Sequence, residues 1–322
     1  MRGRELWTRR GLVVSGAPAA HKWWASHAQT PSPLILGPRH WRIYFSARDI
    51  QNRAQMIFVD VDPLDDMRIL NVHDTPLLEL GPPGRFDSTA QGVSHVVREG
   101  DKVLLYYIGM HLRADVPYGI CVGLAESLDG GTSFERVSDG PILSINQLDP
   151  YFTSLMHVTP QPDGSSVAWF MTCTGWEERS NGVHDAVYGL RRAVSPDGRH
   201  WTPTTVTIGL EDGIFDEAVG LARPWVISMG GPDRLWFSHR SRLNFRTDTN
   251  AAYRIMDIDL NQSGAPTGTP RLLKFDNPPA SDGWDGFMQA YPSILPLGEG
   301  YVMFYNGNGF GKSGFGWATL GM

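Results

Sequence analysis

One phrase recurs five times along the 322 residues, and its spacing decides most of what this chain can fold into. The clearest copy opens on Phe215-Asp216-Glu217, runs through apolar residues 219–227 with Arg223-Pro224 inside, and turns at 230–233. A second apolar run, Leu235-Trp236-Phe237-Ser238, then ends at His239-Arg240. Three further copies open on Asp87, Asp149 and Asp285 and turn at Gly100, Gly164 and Gly298. A worn copy opens on His27 and turns at Gly37-Pro38. The anchors 27, 87, 149, 217 and 285 therefore lie 60, 62, 68 and 68 residues apart and cover the chain.

Helical arrays and leucine-rich repeats run shorter, at about 20–47 residues per unit. Four strands of about 5–6 residues with their turns need roughly 40–50, and more where loops are long. Val, Ile, Tyr, Phe and Trp fill the repeated segments, with Gly and Pro between them, and little 3.6-residue periodicity is present. The expectation is an all-β, five-bladed β-propeller with four-stranded antiparallel blades, a single domain over residues 1–322. Residues 11–15 have no unit of their own and are expected to pair with 315–320, closing the last blade and removing a free edge.

A net charge of −6 and a pI near 5.9 offer no basic surface for nucleic acid. Two cysteines, Cys121 and Cys173, are too few for a disulfide framework and fit a reducing compartment. Arg2, Arg4, Arg9 and Arg10 precede a short apolar run, but Ser15, Gly16 and Pro18 break it before it reaches secretion-signal length. No run approaches the ~20 apolar residues of a membrane span. A soluble, cytoplasmic bacterial protein is expected. The glycine-rich residues 307–314 lie between two strands rather than before a helix, so no nucleotide cofactor is expected. His27, His95 and His157 match no local ligand spacing, and no metal is expected either.

In a propeller the inner strand of each blade lines the axis, and the loops feeding those strands rim one mouth. His27, Asp87, Asp149, Glu217 and Asp285 are accordingly expected to converge on one funnel. Crowded carboxylates spread one another's pKa values, which is what acid–base chemistry requires. Gln29, Arg48, Arg223, Arg240, Tyr291 and Asn306 recur near the same strand ends, and an Arg fork there can hold a carboxylate or phosphate. The expected partner is a small-molecule or oligosaccharide substrate.

The Asp-Pro-Tyr opening at 149–151, the Glu before the fourth inner strand and the five-fold period resemble the five-bladed propeller glycosidases. These are the arabinanase, levansucrase and invertase superfamily, with glycoside hydrolase families 43 and 32 and the mannoside phosphorylases. Ser26-His27-Ala28-Gln29-Thr30-Pro31, Tyr44-Phe45-Ser46-Ala47-Arg48-Asp49 and Trp236-Phe237-Ser238-His239-Arg240 resemble an uncharacterised bacterial branch. So does Phe304-Tyr305-Asn306-Gly307-Asn308-Gly309. The resemblance implies that Glu217 is a general acid and Asp149 the residue tuning it. The first-repeat Asp of that superfamily is missing, since His27 and Gln29 stand there. Asp87 is then the expected activator of water, with Asp285 and His27 as alternatives. Arg48, Arg223, Arg240, Tyr291, His27, Gln29, Asp285 and Asn306 would position the substrate. Three readings stay open: a glycosidase-like hydrolase, a drifted phosphorylase or biosynthetic relative, and a carbohydrate-binding propeller without catalysis.

Overall fold

The computed structural model describes residues 5–16, 23–179, 181–210, 212–215 and 219–322. Strand β1 (Thr8–Val14) is set aside at the start of the chain. The first blade is β2 (Ser26–Gly37), β3 (His40–Arg48), β4 (Ala54–Asp62) and β5 (Arg68–Val72). The second is β6 (Ala90–Glu99), β7 (Lys102–His111), β8 (Gly119–Ser127) and the short β9 (Glu135–Arg136). The third is β10 (Thr153–Pro160), β11 (Ser166–Glu178), β12 (His184–Ser195) and β13 (Thr202–Ile208). The fourth is β14 (Val219–Ser228), β15 (Asp233–Ser241), β16 (Arg254–Leu260) and β17 (Pro266–Leu272). The fifth takes β18 (Ala290–Leu297), β19 (Gly300–Asn306) and β20 (Phe315–Leu320), with β1 antiparallel to β20 as its outer strand. The protein is an all-β propeller of five four-stranded antiparallel blades.

Because each blade is covered by a neighbour on both faces, the middle strands read as unbroken apolar runs rather than alternating ones. In β3 every residue from Trp41 to Ala47 is buried, whereas the outer strand β5 is largely exposed. The core is a set of apolar layers between blades. One joins Trp41, Phe45 and Ile57 to Phe304 and Phe315, and another joins Tyr44 and Phe58 to Val93 and Tyr107. Two hairpin turns staple blades together. Asp129 and Asp197 accept backbone N–H bonds from residues 132–133 and 199–200. The turns so shaped present Gly131 and Gly198 carbonyls to the hydroxyls of Tyr44 (2.7 Å) and Tyr106 (3.0 Å) of the preceding blade. Gly131 has φ +90°, and a Cβ there would lie 2.1 Å from the Tyr44 hydroxyl, so glycine is required.

Every inner strand carries a β-bulge near its entrance: between Gln29 and Ser32, Val93 and His95, Ser154 and Met156, Ala222 and Trp225, and Ala290 and Ser293. Bulges turn a side chain away from the pleat and leave a backbone N–H without its ladder partner. Neighbouring blades supply those partners. Ser46 Oγ accepts from Val93 N (2.8 Å), Ser94 Oγ from Met156 N (2.6 Å), and Ser238 Oγ from Tyr291 N (2.7 Å).

Candidate functional site

The bulges put residues with left-handed backbone at the strand entrances: His27 (φ 61°), Thr30 (φ 53°), Leu155 (φ 24°), Arg223 (φ 54°) and Tyr291 (φ 58°). Non-glycine residues held there mark places where the fold over-determines a side-chain direction. Thr30, Leu155 and Tyr291 line a cavity of about 480 Å³ together with Gln29, Arg48, Asn52, Gln91 and Tyr118. Four blades contribute to it, and its volume is in the range of small-ligand sites. A larger hollow of about 590 Å³ lies at the other ends of the inner strands, among Gln161, Arg192, Asp233 and residues 260–264. It touches none of the expected site residues.

The ring of carboxylates does not form among the described residues. Asp87, Asp149 and Asp285 are each fully buried inside the tops of their own blades. Asp87 receives Arg136 of the outer strand (2.9 and 2.8 Å), the Tyr107 hydroxyl (3.3 Å) and Gln91 (3.2 Å). Asp285 receives Arg9 of β1 through both oxygens (2.9 and 2.6 Å) and the Tyr305 hydroxyl (2.8 Å). Asp149 is held by Arg191 (2.8 Å) and Asn146 (2.8 Å). The equal phase of these acids has a structural origin, since each pins the loop entering the inner strand to residues elsewhere in its blade. Glu217 lies outside the described residues.

Arg223 also departs from expectation. Its guanidinium is buried across the axis, donating to the carbonyls of Ser94 and of Pro31 (2.9 Å), and it lines no part of the cavity. Burial lowers its pKa to about 9, still protonated at neutral pH. His95 and His157 pack beside it, ring centroids 4.2 Å apart, and both lie against Trp225. Their Nδ1 atoms accept from the backbone N–H of Val158 (3.1 Å) and Val226 (3.3 Å), which requires neutral rings. Burial, reinforced by the Arg223 charge, pushes His157 down to about 3; for His95, burial comes first and then its His157 and Arg223 neighbours. Asn306 is a clip between the last blade and the first, accepting from Thr30 N (2.7 Å) and donating to Ala28 O (2.5 Å) and Gly314 O (3.0 Å). Its groups are spent on the fold.

Arg48, Gln29 and Tyr291 are brought together at the cavity. Arg48 Nε donates to Gln29 Oε1 (3.0 Å), and Gln29 Nε2 donates to Phe310 O (2.7 Å). His27 bonds Ser26 Oγ through Nδ1 (2.8 Å). Burial, then the charges of Arg48 and Lys312, push His27 down to about 4, so it is neutral at pH 7 and a weak base. Arg240 is buried against Phe245 (3.8 Å to the ring centroid) and Tyr188, with Nε on the Tyr188 hydroxyl (3.1 Å). Tyr188, Tyr253 and Tyr291 form a connected aromatic wall, and burial raises the pKa of Tyr253 and Tyr291. Nothing in the repeated phrase marks Tyr118, Tyr188, Tyr253 and Arg246, because Tyr188 sits on a third strand and the others in the loops that lead to third strands. Among the described residues no three His, Cys, Asp or Glu side chains gather closely enough to hold a metal ion. No helix there is long and apolar enough to cross a membrane.

No family model matches the chain. Over 317 residues, 98% of this chain and 99% of the relative, it is 33% identical to the uncharacterised protein Rv1502 of Mycobacterium tuberculosis. It matches MT1551 of the same species at the same identity. The chain belongs to the Rv1502 family. This chain shares its architecture with solved propellers of much lower identity. One, described as a glycoside hydrolase, superposes with TM-score 0.69 at 15% identity over 98% of this chain and 92% of that one. Another comes from work on the GH130 family of mannoside phosphorylases and the hydrolases within it that target β-1,2 mannosidic linkages in Candida mannan. It superposes with TM-score 0.66 at 13% identity, covering 98% and 93%. The five-bladed fold is thus that of the glycosidase-type propellers.

Proposed function

We propose that this protein is a sugar-processing enzyme working in the four-blade cavity, with chemistry that has drifted from two-carboxylate hydrolysis. The observation carrying this reading is the lining itself. Aromatic rings (Tyr118, Tyr291) and amide and guanidinium groups (Gln29, Asn52, Arg48) suit a sugar's faces and hydroxyls. Standard glycoside hydrolysis flanks the bond with two carboxyl groups, about 5–5.5 Å apart for retention or 6.5–9.5 Å for inversion. Asp87 and Asp149, two of the acids that could have filled those roles, are committed to arginines inside their blades. Glu217, two positions before β14 in the sequence, is the acid this reading assigns to protonating a leaving oxygen. The solved neighbours, whose descriptions span hydrolases and phosphorylases, support a sugar substrate without choosing between the two reactions.

The test is product analysis after incubation with glycosides and sugar phosphates, with and without inorganic phosphate, for wild type and Glu217→Gln. Loss of roughly 100-fold or more in turnover, with binding retained, is the expected result for removal of a general acid. Equal turnover by both proteins would remove Glu217 from the mechanism. Binding of an unchanged sugar by both would favour the carbohydrate-binding reading, which the lack of a carboxylate among the described lining residues already supports.

A further inference from the structure

Among the described residues two guanidinium groups, Arg48 and Arg53, line the cavity, and they differ in one respect. Arg53 is neutralised by Asp49 at 2.8 Å. Arg48 has no carboxylate within ion-pair distance among the described residues; its Nε and one Nη reach only the neutral oxygens of Gln29 (3.0 Å) and Asn52 (3.1 Å). The remaining Nη hydrogens of the fork have no protein acceptor there. Its charged neighbours are mostly cationic. His27 feels both Arg48 and Lys312, and Arg48 is depressed first by burial and then by Arg246. Arg246 itself is paired to Asp185 at 3.2 Å and stacks on Phe245 and Phe310. A half-buried, unneutralised guanidinium beside further positive charge is costly to hold unless an anion completes it. Its planar fork matches an oxyanion through two parallel N–H bonds.

We infer that the cavity takes a sugar bearing an oxyanion, a phosphate ester or a carboxylate, which seats on the free edge of Arg48 between Gln29 and Tyr291. The inference rests on the sugar-processing reading for the remainder of the ligand; the anion seat itself follows from the arginine alone.

Titration calorimetry on the full chain tests it, using inorganic phosphate, neutral hexoses, hexose 1- and 6-phosphates and hexuronates. Wild type is expected to bind a charged sugar at least ~10-fold more tightly than its neutral parent, with the preference shrinking as salt is raised. Arg48→Gln is expected to weaken the charged sugar roughly 10- to 100-fold and the neutral one little, with Arg48→Lys in between because it keeps charge but not the fork. Arg68→Gln, on the surface, is the control. Thermal melts verify folding, and Arg48→Lys carries the test if the Gln variant does not fold. The phosphate and uronate arms identify which oxyanion is read. No binding by any charged compound, or a charge preference that survives both Arg48 variants, overturns the inference. Neutral sugar bound as well as charged sugar leaves the sugar reading standing and removes the anion seat. Arg48-dependent binding of inorganic phosphate with no sugar bound keeps the seat and removes the sugar reading.

Discussion

Asp87→Asn separates a structural from a catalytic role for the repeated aspartates. The replacement keeps the shape and deletes the charge, leaving Arg136, and Arg85 at 3.4 Å, facing a neutral amide inside the second blade. Breaking one side of a buried ion pair costs about 3–5 kcal/mol. Arg136 keeps 19% of its side chain exposed, so water recovers part of that loss and about 2–3 kcal/mol is the working figure. At about 2.1 cal/mol/K of unfolding entropy per residue, 322 residues give roughly 0.7 kcal/mol/K, so Tm should fall by about 3–4 °C. Asp115→Asn, which breaks an exposed pair with Arg113, should move Tm by less than about 1 °C. The assay is a calorimetric melt of both variants, run beside turnover of whatever sugar the wild type processes. Asp87→Asn should melt early and, well below its Tm, turn over within about 3-fold of wild type, since the carboxylate is buried on Arg136 and Tyr107. An unchanged melt with turnover cut 100-fold would refute the assignment of Asp87 to the blade and return it to the chemistry.

Acid should weaken the propeller before its carboxylates titrate. Folding lowers the pKa values of His95 and His157, so their contribution is complete above the unfolded value near 6.5 and is lost as pH falls below it. The slope is at most about 1.4 kcal/mol per pH unit for each ring, and urea midpoints from pH 7 to 5 would show it; a flat profile contradicts neutral rings. Tyr44→Phe removes the hydroxyl that reaches Gly131 O at 2.7 Å and leaves a buried carbonyl without its donor. A loss of about 1–3 kcal/mol, or roughly 2–4 °C in Tm, should follow, and an unchanged melt would show that this staple carries no weight.

The blade count was legible because each blade repeats the same alternation of apolar run and turn, and a period in the sixties leaves no other economical solution. The meeting of Arg48, Gln29 and Tyr291 at one cavity was legible because they end or open strands whose direction the repeat sets. The aspartates read as a shared ring for the same reason, whereas the structure pairs Asp87, Asp149 and Asp285 with arginines of their own blades. A position repeated in phase is one that all blades need, and what all blades need is a pin for the entering loop. The deciding partners, Arg136 of β9 and Arg9 of β1, lie 49 and 276 residues from the acids they hold. Nothing in local sequence marks that pairing. Arg223 reads as a channel-lining cation in the sequence; only the bulge between Ala222 and Trp225 shows that it crosses the axis to other blades.

The pairing of β1 with β20 has a consequence for how the chain is made. Thr8 to Val14 leave the ribosome long before the strand they pair with, Phe315 to Leu320. Arg9 must likewise await Asp285, and Glu5 must await Arg234. The circle cannot shut until β20 has been made. Until then β1 stays unzipped, and a product cut short before β20 would have a gap where its seam belongs.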